Sequence, residues 1–257
     1  MYYTLKPVTV QGFSPMAVMG IDLASRRYAD IGVALLRRAG AKIDVHFLRL
    51  AAHGLDDPPQ VERLADWVAD VAREHQVSVI AIDGPQAWKA AENGLEHARA
   101  CEQQLHTQAK TGLPGVAKPR TALRFVRFAI DLFAALERLG WPRLVSREEV
   151  SRPARVAVEV FPTAAWRALG LPPLPAKRAN PDAEVALWLS RLECCFPVRL
   201  AAQPSHDELQ ALMAGLVALA LAEGDWSQIA LFGQPLVLVD GAWREGYIVN
   251  WQRVKER

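Results

Sequence analysis

The pattern of apolar and polar positions divides the chain into short strands and longer helices, and it begins with a strand pair. An apolar run over residues 17–21 ends in Asp22, a polar turn follows at residues 25–28, and a second apolar run covers residues 31–36. Two such runs around a polar turn predict an antiparallel hairpin. The strand period of two places Gly20 and Asp22 on one face, where the glycine leaves room for another backbone or a ligand.

A parallel crossover is predicted next. Residues 44–50 form a predicted third strand with His46 on its exposed side, and apolar side chains recur at helical spacing over residues 61–75. A continuous apolar run then covers residues 77–85 and stops at Asp83-Gly84-Pro85, as expected of a strand buried on both faces. The order strand, helix, apolar strand predicts parallel pairing.

The second half of the chain alternates predicted helices with two further strand regions. A strand is expected at residues 155–163 and a hairpin turned near Gly241. Ser205 and Glu208 form a capping box at the start of a long apolar helix, and Thr163 is expected to cap a shorter one. Helices are predicted over residues 96–108, 121–139, 163–169, 182–195 and 205–223.

Composition describes an ordinary globular protein. The chain has 257 residues, 51% hydrophobic and 23% charged, with a net charge of +2, so whole-protein charge identifies no partner. Its three cysteines show no zinc-site spacing, and no signal peptide or membrane-length apolar run is seen, so a cytoplasmic location is expected. The simplest organisation is an N-terminal extension (1–15) and a single domain (16–257) containing inserted loops and helices (86–150).

Acidic residues recur on the predicted strands. Asp22 and Asp83 end two strands, Glu159 lies within a third between valines, and Asp207 begins the last long helix. If the strands are neighbours, these carboxylates converge at one edge of the sheet, where cations would have to offset their repulsion. Oxygen ligands of this kind select Mg²⁺ or Mn²⁺, and two such ions can stabilise an in-line phosphoryl displacement.

The sequence resembles the ribonuclease H-like fold and, more narrowly, an uncharacterised domain family described as predicted ribonuclease H-like nucleases. The matching pieces, in order, are MGIDLAS, AIDGP, ARACE, VEVFPTAAWRAL, HDELQAL and EGYIVNW, which extend from about residue 18 to residue 251. The resemblance implies an α/β fold with a mixed sheet, an antiparallel hairpin plus parallel strands, flanked by helices. It also implies metal-dependent hydrolysis of phosphodiester bonds in DNA or RNA.

The resemblance also implies roles for individual residues. Metal-ligand and catalytic roles fall on the acids Asp22, Asp83 and Glu159. Asp207, at the start of the last long helix, is the fourth candidate for these roles and is not part of what the resemblance implies. Arg99, with Glu102, matches a basic–acidic pair of the inserted region, and Lys177 matches a lysine that follows the short helix. Arg99 and Lys177 are expected to bind substrate.

One position departs from the family pattern. Gln210 precedes Ala211 where an aspartate is usual. Asp207, one turn earlier, either takes the place of that acid or only complements the helix dipole.

A second candidate substrate contact lies between residues 103 and 130, a stretch without any acidic residue. We name residues 110–127 the basic segment; its cations are Lys110, Lys118, Arg120, Arg124 and Arg127. Such a stretch suits the phosphate backbone of a nucleic acid, although a solvated charged surface explains it equally well.

The sequence leaves three functions to compare. The first is a metal-dependent nuclease using a two-metal mechanism. The second is a non-catalytic domain that binds nucleic acid or another partner and has a degraded metal site, which Gln210 favours. The third, an actin-like or sugar-kinase-like ATPase, is disfavoured because the chain has room for one copy of the fold and lacks long Gly-rich phosphate turns.

Overall fold

An eight-stranded mixed sheet forms the centre of the protein. The computed structural model describes residues 17–146, 155–177 and 181–252. The strands are, in chain order, β1 (Ala17–Asp22), β2 (Gly32–Ala39), β3 (Lys42–Phe47), β4 (Val77–Asp83), β5 (Lys110–Thr111), β6 (Ala117–Lys118), β7 (Val156–Val160), β8 (Val198–Leu200), β9 (Ile229–Val239) and β10 (Ala242–Trp251). The main sheet has the order β8-β3-β2-β1-β4-β7-β10-β9, while β5 and β6 pair separately.

The strand directions place the carboxyl ends of four strands at one edge. β1 and β2 form the predicted antiparallel hairpin, and β3 continues it. β4 runs parallel to β1, β7 to β4, and β10 to β7. The predicted fold class, a mixed α/β sheet flanked by helices, is confirmed.

Helices cover both faces of the sheet. They are α1 (Val61–Glu74), α2 (Ala100–Gln104), α3 (Leu123–Arg138), α4 (Pro162–Ala168), α5 (Pro181–Cys195) and α6 (His206–Glu223). Apolar residues of α4, α5 and α6 pack on one face, and those of α1 and α3 pack on the other. α6 is apolar around most of its circumference because the sheet and neighbouring helices bury it.

Two glycines let α6 lie directly on the sheet. A Cβ atom on Gly20 would be 2.1 Å from the Ala211 carbonyl oxygen, and one on Gly32 would be 2.1 Å from the Asp207 carbonyl oxygen. The close approach expected at Gly20 is therefore confirmed, and the approaching backbone is that of α6. The Ser205–Glu208 capping box is also present and fixes the first turn of this helix.

Two local predictions are wrong. The helix predicted over residues 96–108 is only α2, because the chain leaves helical geometry at Leu105 and His106 has a φ of +54°. Thr163 does not cap α4; the N-cap is Phe161 and Pro162 occupies the first turn, a position that suits its fixed φ. The predicted terminal extension lies outside the described residues, and the division into domains stays a prediction.

No helix in the described ranges is both long enough and apolar enough to cross a membrane.

Candidate functional site

Asp22 and Asp83 lie side by side at the edge of the sheet. They are Cα partners at the ends of the adjacent parallel strands β1 and β4. On both strands the alternate positions before them, Val18 on β1 and Val79 and Ala81 on β4, pack on the face that carries α6. Because strand side chains alternate, the two carboxylates belong to this same face.

The two carboxyl groups are hard to ionise together. Burial raises the pKa of Asp22 well above its usual value, the charges of Asp83 and Asp207 raise it further, and Lys177 opposes the increase. Burial also raises the pKa of Asp83 to about 7, with a contribution from the charge of Glu159. Within the described ranges, neither the Asp22 nor the Asp83 carboxylate has a hydrogen-bond partner.

Asp207 joins this group from α6. The first turn of that helix packs against Gly32, which is the Cα partner of Asp22 across the β1–β2 hairpin. Oδ2 of Asp207 accepts a hydrogen bond from Lys177 Nζ, and Oδ1 lies 3.1 Å from Nδ1 of His206. Asp207 therefore lies beside Asp22 in the first turn of α6, and both interpretations of its role stay predictions.

Lys177 is the cation of this cluster. Its Nζ donates to Asp207 Oδ2 and, over 3.0 Å, to Asp30 Oδ1, while 45% of its side chain stays exposed. Burial lowers the pKa of Lys177, but its two carboxylate partners more than compensate, so the net shift is upward. Lys177 therefore offsets part of the repulsion that the Asp83 and Asp207 carboxylates exert on Asp22.

Gln210 has a partner on a neighbouring helix. Its Oε1 accepts a hydrogen bond of 2.8 Å from the Trp166 indole of α4. The amide of Gln210 therefore links α6 to α4.

Glu159 has a different environment from the other predicted ligands. Val158 and Val160 pack on the α6 face, whereas Ala157 packs on the opposite face, so Glu159 belongs to that opposite face. Its two oxygens accept hydrogen bonds of 2.6 and 2.8 Å from Arg99, and the Gln86 amide donates over 3.0 Å. The carboxylate is thus fully engaged within the protein.

Arg99 and Glu102 complete this buried network. Arg99, 1% exposed, also donates to Glu102 Oε1 over 3.0 and 3.1 Å, and Glu102 accepts the Thr111 amide over 2.9 Å. Burial strongly opposes the charge of Arg99, but its acidic neighbours keep the pKa of Arg99 high. Arg99 and Glu102 therefore hold the inserted region against β7, and the predicted contact of Arg99 with substrate stays a prediction.

Asp83 and Glu159 nevertheless line a common cavity. It has a volume of about 240 Å³ and extends from the end of β4 to Thr111 of β5 and Phe125 of α3. The cavity therefore connects the acidic edge of the sheet with the base of the basic segment.

The basic segment has two kinds of cation. Lys110 donates to the carbonyl oxygens of Glu102 and Thr107, and burial lowers its pKa, so it is committed to a turn. The other four cations are exposed and make no hydrogen bond or ion pair through their side chains to any described residue; they are Lys118, Arg120, Arg124 and Arg127.

Two acids of the region are absent from the sequence-based prediction. Asp30 pairs with Lys177, and Glu245 of β10, 2% exposed, accepts hydrogen bonds from Asn93 and from the Ala90 and Ala100 amides. The only sequence feature that points to Glu245 is its position at the start of the EGYIVNW piece. Asp30 also pairs with Arg27, three residues earlier, but no local sequence feature indicates its contact with Lys177, which is 147 residues away.

The fit of a divalent cation depends on side-chain orientation. Among the residues that the structure describes, no group of three or more His, Cys, Asp or Glu side chains is arranged to hold a metal ion. Asp22 and Asp83 supply carboxylate oxygens that accept no hydrogen bond from any described residue, which suits Mg²⁺ or Mn²⁺. Asp207 becomes a third ligand only if its carboxylate leaves Lys177.

Comparison with known proteins gives similar structures but no family. No family model matches the chain, and no curated protein matches it. A structure of Thermus thermophilus RuvC is 17% identical, covers 86% of this chain and 100% of its own, and has a TM-score of 0.43. Another, of T. thermophilus RuvC in complex with a Holliday junction substrate, is 17% identical, with 86% and 99% coverage and a TM-score of 0.40. This level of likeness transfers no residue role to the present chain.

Proposed function

We propose that this protein is a nuclease that uses Mg²⁺ or Mn²⁺ to hydrolyse phosphodiester bonds in DNA or RNA. The observation that carries the proposal is the pairing of Asp22 with Asp83 at the edge of the sheet, beside Asp207. Like charges held this close are unfavourable without a cation, so the arrangement favours a site for one.

The proposed ligands are Asp22, Asp83 and Asp207. A bound Mg²⁺ or Mn²⁺ ion would activate water and offset the negative charge that develops on the phosphate. The role of the chain is to hold three carboxylates at one edge, with Asp22 and Asp83 fixed by the strand register and Asp207 by the capped helix.

Glu159 and Arg99 are proposed to have a positioning role. The carboxylate of Glu159 already receives three hydrogen bonds, and its arginine partner is almost completely buried. Releasing Glu159 for a metal would leave Arg99 buried with a smaller countercharge, which is costly. The network therefore supports the cavity beside Asp83 and orients the inserted region.

The exposed cations of the basic segment are proposed to bind the substrate backbone. The cavity at Asp83 extends to Phe125, whose neighbour Arg124 is exposed, as is Arg127 one turn later. Phosphate contacts of this kind position a strand without reading its sequence.

A non-catalytic nucleic-acid-binding domain is the second candidate. It is favoured by the engagement of Asp207 with Lys177 and by the absence of a preformed three-acid metal site within the described ranges. Binding that needs no metal, without cleavage, would support this candidate.

A cleavage screen tests the proposal. Single- and double-stranded DNA, RNA and a DNA–RNA hybrid are incubated with the protein in Mg²⁺, in Mn²⁺ and in EDTA. We expect cleavage that needs the metal and is lost in Asp22→Asn and Asp83→Asn, since the amide keeps the shape of the side chain but not its charge. Asp66→Asn, at an exposed position of α1, is the matched control. Cleavage at the wild-type rate in the Asp22 and Asp83 variants would contradict the site assignment.

A further inference from the structure

A second cavity lies farther along the same edge of the sheet. It has a volume of about 460 Å³ and is bounded by the end of α2, by α4 and by the paired ends of β9 and β10. Arg167, Phe232 and Trp251 line it, together with Gln104 and His106. This volume lies within the range of small-molecule sites in proteins.

The strand directions relate this cavity to the acidic site. β4, β7 and β10 are parallel neighbours, so Trp251, at the end of β10, lies at the same sheet edge as Asp83. Asp83 is level with Val249, which lies two strands away and two residues before Trp251, so the end of β10 is roughly 12 Å from the end of β4. Nucleotides of one extended strand can reach both positions.

The polar groups of the cavity suit an anion. No carboxylate lines it among the described residues. Arg167 is exposed and has no hydrogen-bond or ion-pair partner in the described ranges. The side-chain oxygen of Gln104 accepts the Gly233 amide over 2.8 Å, which leaves the amide nitrogen of Gln104 as a donor.

The apolar walls of the cavity suit a planar ring. Phe232 is partly exposed, and Trp251 is 4% exposed. The Trp251 indole nitrogen is buried and has no acceptor within the described part of the chain. Aromatic side chains beside a cation are a common platform for a nucleotide base and its phosphate.

We propose that this cavity binds one nucleotide unit, with its phosphate at Arg167 and its base against Phe232. The ligand is either a free nucleotide or a nucleotide of the substrate strand whose scissile phosphate lies at Asp22 and Asp83. The second source rests on the proposed function. It would give the protein contacts to single-stranded substrate on the side of the site opposite to the hairpin β1–β2.

The test measures binding in EDTA, so it does not depend on metal or cleavage. Fluorescence anisotropy follows a labelled eight-nucleotide oligothymidylate, and calorimetry follows thymidine monophosphate and thymidine. The variants are Arg167→Glu, Arg167→Gln and Phe232→Ala. Arg63→Glu, on α1, is the control because it makes the same charge change at an exposed position across the sheet. Melting temperatures confirm that each variant is folded.

We expect Arg167→Glu to weaken oligonucleotide binding about tenfold and to reduce the slope of log K against log salt by about 0.7, the value for one single-strand phosphate. Arg167→Gln and Phe232→Ala should each weaken it severalfold, and Arg63→Glu should not. Binding of thymidine monophosphate that is lost in Arg167→Glu would identify a free-nucleotide site, whereas an effect on the oligonucleotide alone would identify a strand site.

The inference is overturned if Arg167→Glu and Arg63→Glu weaken oligonucleotide binding equally, or if thymidine binds measurably and as tightly as thymidine monophosphate. It is also overturned if the wild type binds neither the oligonucleotide nor thymidine monophosphate. Calorimetry with Mn²⁺ separates this result from the proposed function. A wild type that binds Mn²⁺ but shows no effect of Arg167 contradicts only the nucleotide site.

Discussion

Removing the charge of Lys177 should tighten metal binding. Its ammonium group contacts Asp207, lies 3.0 Å from Asp30 Oδ1, and acts on Asp22 through its charge. Because Lys177 is a cation at the place where a metal ligand is proposed, it competes with a divalent ion for Asp207. Lys177→Met keeps most of the length of the side chain but removes this competitor.

The structure sets the size of the expected effect. A unit charge about 4 Å from another interacts by about 1 kcal/mol in water and about 4 kcal/mol at an effective dielectric constant of 20. Since 45% of the Lys177 side chain is exposed, the lower part of this range applies. A gain of about 1–2 kcal/mol corresponds to a Kd for Mn²⁺ roughly 5- to 30-fold lower.

Calorimetric titration with Mn²⁺ measures this change directly. The control is Lys42→Met, because Lys42 is exposed and pairs with Ala39, at the opposite edge of the sheet from Asp22. In EDTA, Lys177→Met should melt at a lower temperature than the wild type, and saturating Mn²⁺ should reverse that order. Equal or weaker Mn²⁺ binding by Lys177→Met would refute the competition between the lysine and the metal.

Three further predictions test other parts of the account. In EDTA, the free energy of unfolding of the wild type should fall as pH rises from about 4 to about 7, because the pKa of Asp83 is about 7 in the folded protein and near 4 in the unfolded chain. Asp83→Asn should remove at most about 4 kcal/mol of that loss. Denaturant titration across this pH range measures both effects. Arg99→Met should reduce the free energy of unfolding by about 3–5 kcal/mol, because it leaves buried carboxylates without a countercharge; a loss below 1 kcal/mol would contradict the positioning role. Replacing Arg124 and Arg127 with Glu should weaken nucleic-acid binding and lower its salt dependence. An unchanged salt slope would show that the two arginines do not contact phosphate and belong to an ordinary solvated surface.

The hydrophobic pattern was sufficient to predict the hairpin and the parallel crossover at the centre of the sheet. The run that ends in Asp22 and the continuous run that ends in Asp83 specify a hairpin followed by a parallel crossover, and both are present. Local signals also located α6, since the capping box at Ser205 fixes its start. These features depend on residues that are close together in the chain, so they can be predicted from one sequence alone.

The environment of the acids could not be predicted in the same way. Strand alternation places Glu159 on the face opposite to Val158 and Val160, but only the folded chain shows that Arg99, 60 residues away, engages it. Likewise, Lys177 meets Asp207 from 30 residues away. Such contacts depend on how loops pack, and the pattern of apolar positions carries no information about them.

The short elements were also missed for a physical reason. β8, with three residues, and the two-residue strands β5 and β6 are too short to show a period. Each exists because a neighbour supplies its hydrogen bonds, as β3 does for β8.

The most direct test of the central claim is to locate Mn²⁺ in crystals by its anomalous scattering. We expect a peak between the carboxylates of Asp22 and Asp83, with the Asp207 side chain turned from Lys177 toward the ion. Glu159 should keep both of its hydrogen bonds to Arg99. A peak coordinated by Glu159, or no peak at the ends of β1 and β4 at saturating Mn²⁺, would contradict the central claim.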